Sequence, residues 1–233
     1  MSFQRRAYDM DLGRRDHTRW LGSSGRYSTR LTLPTTNLLA AYDARAGVTN
    51  VSGACSAWAD QSGNGFHATQ GTAGSRPTIS TADGYASLYF DGTNDSLINT
   101  GITAVAGPRT IYAVIKPNTL RGIFDTQTGR LLVGGISTYR LLDTAFRDSA
   151  VSITTTRQRV TYQKDSSLFS FWRNGVAATP VACGANTAIG GASRIGSDYT
   201  GAYVTDGHIL ALFVYSSTRN TAVEAYITQE WGV

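Results

Sequence analysis

Two glutamates and two lysines in 233 residues leave this chain short of the side chains that favour helices. A mainly helical fold is excluded on that ground, because the abundant Thr, Tyr, Val and Ile favour strands instead. Cysteine is as scarce: Cys55 and Cys183 stand far apart, with no CxxC or Cys/His spacing that would hold zinc. They either pair across the body or remain two buried thiols of a protein made in a reducing cytosol. Long apolar runs are missing. The longest, Ile209–Tyr215, falls far short of the roughly 20 residues that span a bilayer. No G-x-S-x-G, H-E-x-x-H or P-loop occurs, and no repeat of 20–50 residues that would mark a propeller or solenoid. The opening "MSFQRRAYDMDLGRRD" has charges and no apolar core, so no secretion signal is expected there.

What is present is glycine (25 residues) and aromatic mass, with twelve Tyr, eight Phe and four Trp. One large domain, alone or with an appendage, is the expected organisation. The charge is uneven. Residues 1–36 hold seven Arg against three Asp, whereas residues 37–233 are nearly neutral, so the net +5 belongs mostly to the N-terminus. In that segment Arg5, Arg6, Arg14, Arg15, Arg19 and Arg26 are interleaved with Trp20 and Tyr27 and broken by glycines, without helical or strand periodicity. This predicts an extended basic docking arm over 1–36. Its Asp9, Asp11 and Asp16 favour a protein neighbour over nucleic acid, since guanidinium groups pair with carboxylates and stack on rings at interfaces.

From residue 37 the text reads as short strands between turn signals. "NLLAAYDA" predicts a strand ending at Asp43. In "ASLYFDG" Leu88 and Phe90 share a face. In "TIYAVIKP" Ile111, Ala113 and Ile115 share one face and Tyr112 and Val114 the other, as in a strand between stacked layers. Asn174-Gly175 is a hairpin signal, because a type I′ turn needs positive φ at both positions. "STRNTAVEAYITQEWGV" predicts one helix, with Thr221 and Glu224 as a capping box, Val223, Tyr226, Ile227 and Trp231 on its buried face, and Gly232 as its stop.

The order "LLAAYDARAGV", "WADQSGNGFHATQ", "RPTI", "LYFDGTNDSL", an "NG" hairpin and "DGHILALFVYSSTRNTAVEAYITQEWG" resembles the concanavalin A-like lectin/glucanase superfamily. The similarity is to its laminin-G-like branch, found in bacterial surface proteins and tailed-bacteriophage virion proteins. It covers 37–233 and implies an all-β, two-sheet antiparallel jelly-roll sandwich with an extended N-terminal arm and a short C-terminal helix, in accord with the strand reading. It also implies a virion structural or appendage protein, made in the host cytoplasm, docked through its arm to a capsid or tail protein and adhering to host surface glycans. Trimeric assembly is a further implication. The alternatives are a stand-alone carbohydrate-binding module of a bacterial surface protein and, third, a carbohydrate-active enzyme.

The glucanase branch needs two carboxylates flanking a sugar ring, and here no glutamate precedes Glu224. No catalytic activity is therefore expected, and no cofactor beyond calcium. Trp58, Asp60, Gly63 and Gly65 read as a structural corner. Trp58 is expected in the core, and Asp60 is expected to accept hydrogen bonds from the turn that follows it. Calcium ligation by Asp60, or by Asp91, Asn94 and Asp95, is the alternative that laminin-G-like domains suggest. His67 reads as a packed or surface side chain. Tyr199, Tyr203, Trp172 and Tyr139 are the candidate sugar platforms, with the first two flanking Gly201 in a loop.

Overall fold

The computed structural model describes residues 20–21, 27–28, 30–119, 121–128, 132–135, 137–142, 146–184 and 189–233. The chain forms two units, Met1–Thr32 and Leu33–Val233. In the first, Trp20–Leu21 pairs antiparallel with Tyr27–Ser28. The predicted docking residues Arg5, Arg6, Arg14, Arg15, Arg19 and Arg26 lie outside the described residues, as do the side chains of Trp20 and Tyr27. The boundary expected at 36/37 moves: residues 33–36 belong to the body. Leu33 packs against its hydrophobic core, and the Tyr215 hydroxyl donates to the Pro34 carbonyl at 2.6 Å.

The body is an antiparallel β-sandwich. In one layer the central strand Asp206–Tyr215 pairs on one side with Arg109–Thr119. Gln158–Asp165 and Leu168–Arg173 follow outward from there. The other side of Asp206–Tyr215 is shared end to end by Leu38–Asp43 and Tyr85–Asp91, and Thr78–Ala82 completes that edge. The second layer runs Val48–Val51, Ala54–Trp58, Ala68–Thr69, Leu97–Val105, Ile189–Ile195, Gly122–Thr128, Leu132–Gly135, Thr138–Leu142 and Phe146–Ser152.

Alternation places the cores. Leu88, Phe90, Ile111, Ala113, Ile115, Val160, Tyr162, Phe169 and Phe171 meet Leu97, Phe124, Tyr139, Leu141 and Ile195 in one hydrophobic cluster. The opposite face of the central strands carries Tyr112, Val114, Ala211, Phe213 and Tyr215, and it is covered by Val223, Ile227 and Trp231 of the helix Thr221–Trp231. The double burial of 110–117 thus comes from a sheet on one side and a helix on the other.

The helix cap differs from expectation. Asn220 is the N-cap and accepts from the Ala222 N–H at 2.9 Å, while Thr221 is the first helical residue. Glu224 makes no capping box because its carboxylate points into the sheet. It pairs with Arg219 and Arg159 and accepts from the Thr161 hydroxyl at 3.2 Å. Arg159 also donates to the Glu224 carbonyl at 2.9 Å and to Thr228 Oγ1 at 2.7 Å, tying the helix to the strand beneath. The Asn174-Gly175 turn has φ of 49° and 83°, as a type I′ hairpin requires.

Candidate functional site

The Trp58–Gly71 corner is a built scaffold. Trp58 is fully buried and its indole N–H donates to the Asp43 carbonyl at 3.1 Å. Asp60 accepts four hydrogen bonds. The Ala41 and Ser62 N–H groups and the Ser62 hydroxyl come at 2.9, 2.9 and 2.7 Å, and the Phe66 N–H at 3.0 Å. Gly63 and Gly65 hold φ of 90° and 78°, which lets the turn wrap around the carboxylate. His67 Nδ1 accepts the Asp60 N–H at 3.0 Å, so the ring is part of the corner.

Donor chemistry speaks against calcium at Asp60. A cation needs oxygens that are open to it, and those of Asp60 face N–H and O–H donors. Asp91 accepts from the Thr93 and Asn94 N–H groups at 2.8 and 3.4 Å, and Asp95 accepts from the Asp91 N–H at 3.1 Å. Burial pushes the Asp95 carboxyl up to about 6, which disfavours the charged form that a metal would use. Among the described residues no group of three or more His, Cys, Asp or Glu is placed to hold a metal. Cys55 and Cys183 form no disulfide with each other, and burial pushes the Cys55 thiol up to about 11.

The four predicted platforms separate. Tyr139 is fully buried, stacked on Phe171 with ring centroids 4.7 Å apart, and so offers no surface to a sugar. Its strand position faces the opposite sheet, and burial pushes its hydroxyl up to about 12. Trp172 lies on the outer face of the other layer, opposite Thr161, half-buried beneath the Arg219 guanidinium at 4.8 Å. Tyr199 and Tyr203 remain together, both half-buried, in the loop after Ile189–Ile195.

That loop is positioned by the second layer beneath it. Phe124 pairs with Ile195, and both face the core, so the next pair, Asp125 and Arg194, faces outward. Asp125 is fully buried because the loop covers it, and it accepts the Tyr199 N–H at 2.8 Å. Asp198 closes the turn, accepting from the Ala202 and Tyr203 N–H groups at 2.6 and 2.9 Å and from the Thr200 hydroxyl at 2.5 Å. Burial works against its charge, but these hydrogen bonds outweigh burial and hold the carboxyl below its ordinary value. Gly122 permits the seating: a Cβ there would lie 2.5 Å from the Asp198 nitrogen and 2.7 Å from the Tyr203 carbonyl oxygen.

The result is a ring-and-guanidinium surface. Phe146, 46% exposed, meets Tyr203 edge to face at 6.2 Å. Arg140 lies 5.9 Å from the Phe146 ring and is fixed by Asp148 through Nε and Nη2, both at 3.1 Å. Arg194 lies 5.9 Å from the Tyr199 ring. Accessible ring faces bordered by polar groups are a surface of the kind that can take the faces and hydroxyls of a sugar. Sequence reasoning missed Phe146, Arg140, Arg194 and Gly122. The outward phase of 194 relative to Ile195 was a signal available for Arg194. Nothing local marked Phe146 or Gly122, which join the site across strands.

No protein-family model and no curated protein sequence matches this chain. Solved structures do. An arabinofuranosidase complexed with arabinofuranosyl-α-1,2-xylobiose superposes with a TM-score of 0.58 at 15% identity, over 75% of this chain and 50% of that one. Botulinum neurotoxin type C, which interacts with two ganglioside molecules, gives 0.57 at 11% identity, over 84% and 51%. Domain 4 of AbnA, an extracellular arabinanase from Geobacillus stearothermophilus in complex with arabinotriose, gives 0.55 at 14% identity, over 83% of this chain and 97% of that domain. The chain spans about half the length of the first two. At these identities the similarity defines the fold. That fold is an antiparallel β-sandwich of the concanavalin A-like kind.

Proposed function

We propose that Leu33–Val233 is a non-catalytic carbohydrate-binding module and that Tyr199, Tyr203 and Phe146 form its sugar platform. The observation that carries this reading is exposed Phe146 set against half-buried Tyr203, with Tyr199 and two arginines on the outer face of the second layer. Fold neighbours add support: the arabinanase domain is seen with arabinotriose, and the ligand-binding domain of botulinum neurotoxin serotype D with N-acetylneuraminic acid. A non-catalytic role is supported by the carboxylate inventory. Glu224 is paired with Arg219 and Arg159, and Glu230 with Arg45 at 2.5 Å, so both glutamates serve helix docking.

The test is binding of Tyr199→Ala and Tyr203→Ala variants on a glycan array, with thermal melting alongside. Each variant should lose about 1–3 kcal/mol of sugar affinity with its melting temperature little changed, as for truncated aromatic anchors. A full-strength array signal from the double variant would remove this site.

A second reading concerns Met1–Thr32. Its seven arginines, set apart from a nearly neutral body, support a tether that docks the module to a virion capsid or tail protein. Co-sedimentation with phage particles should be lost on deleting residues 1–32, while the remaining body still melts cooperatively. Retained co-sedimentation would refute the tether.

A further inference from the structure

We infer that the platform selects sugars bearing a carboxylate and that Arg194 is the residue that reads it. This rests on the carbohydrate-binding reading above and names the ligand class of the same site.

Several cations elsewhere in the described body are paired with acids. Arg140 is held by Asp148, Lys116 and Arg157 by Asp83, and Arg159 and Arg219 by Glu224. Arg194 stands directly opposite Asp125, which register makes its natural partner. Asp125 instead accepts the Tyr199 N–H through Oδ2 and the Thr126 N–H through Oδ1. Among the described residues Arg194 has no ion pair, and its buried Nε has no hydrogen-bond partner. A half-buried guanidinium with no acid partner among the described residues therefore lies beside the Tyr199 ring.

Its setting fits a ligand anion. A Cβ at Gly201 would lie 3.3 Å from Arg194 Nη1, so the loop glycine leaves that nitrogen room where a side chain would crowd it. Guanidinium is weakly hydrated and presents a planar fork that matches a carboxylate bidentately. Partial burial screens the charge less than a surface site would. Tyr199 offers a face for the sugar ring while Arg194 takes its acid. A neutral sugar would cover the guanidinium without pairing it, which is unfavourable. A uronic acid and a nonulosonic acid share the required chemistry.

The experiment is calorimetric titration of the full chain and of Arg194→Gln and Arg194→Lys variants. The probes are trigalacturonate against galactotriose, and sialyllactose against lactose. Melting curves verify folding of each variant. The wild type should bind at least one acidic probe about tenfold more tightly than its neutral counterpart, the scale of a charged hydrogen bond. Arg194→Gln should erase that ratio by weakening the acidic probes, and Arg194→Lys should restore part of it. The trigalacturonate and sialyllactose arms tell a uronate from a nonulosonate. Equal affinity for acidic and neutral probes, or a preference that survives Arg194→Gln, overturns this inference alone. Binding of none of the four probes overturns it together with the carbohydrate reading. If Arg194→Gln fails to melt cooperatively, Arg194→Lys decides: an undiminished preference with lysine overturns the bidentate role.

Discussion

The corner at Trp58–Gly71 and the loop at Ser197–Thr205 use the same local device for opposite ends. In each, an aspartate gathers backbone N–H groups and a serine or threonine hydroxyl, and aromatic residues flank the turn. In the corner the aromatic goes inward: Trp58 is fully buried, and the Tyr42 hydroxyl and Asn99 amide both donate to the Phe66 carbonyl. In the loop the aspartate anchors the chain to the outside of a sheet, and the rings stay half-exposed. An aspartate-centred turn is thus neutral as to role. What lies on the far side of its aromatic residues decides whether they are buried in the core or left half-exposed.

Substitutions can break this contrast, beginning with the most damaging. Asp60→Ala leaves four donors without their acceptor and should destabilise the body by about 3–5 kcal/mol, lowering the melting temperature by roughly 8–15 °C. A shift under about 2 °C would mean the corner contributes no more than an ordinary surface turn. Gly122→Ala should lift the 197–205 loop, costing about 1–3 kcal/mol of stability and most of the sugar binding together. Wild-type sugar affinity in that variant would show that the loop's seating is irrelevant to the site.

A pH series sharpens the scaffold side. Gln70, within the corner stretch, donates to the Ser96 carbonyl at 2.9 Å, next to Asp95. Burial raises Asp95 from 3.8 to about 6 in the folded chain. Between those values the folded chain holds a proton that the unfolded chain has released. The stability from this group is therefore complete below 3.8 and is lost as pH rises through 6. Asp95→Asn should flatten that part of the denaturation profile by on the order of 1–2 kcal/mol between pH 4 and 7. An unaltered slope would place the group in water. Phe146→Ala has the smallest effect on folding. It should change stability by less than about 1 kcal/mol yet weaken sugar binding about tenfold, which titration of the folded variant would measure.

Much of the fold was readable from local pattern. Alternation at 110–117 and 86–92 assigned the inward residues, and Asn174-Gly175 located a hairpin, because pleat and φ are local properties. The helix was readable by its apolar period, but its cap was misread. Asn220 and Thr221 are both good capping residues, and the choice fell to Asn220 once Glu224 was drawn to Arg159 and Arg219. Tyr139 and Tyr199 are alike in sequence terms. They differ because one strand position faces the opposite sheet and the other lies in a loop crossing the outside.

The order of residues alone determined that the chain would form short antiparallel strands, which side chains within each strand share a face, and that one amphipathic helix would end it. Those follow from periods of 2 and 3.6 and from the φ preferences of a few turn residues. Tertiary structure decided which faces would be covered, and by what. A helix sealed the outside of one layer, whereas on the other a loop left rings and an arginine half-exposed. Covering depends on segments far apart in sequence meeting in space, and no local pattern carries that information.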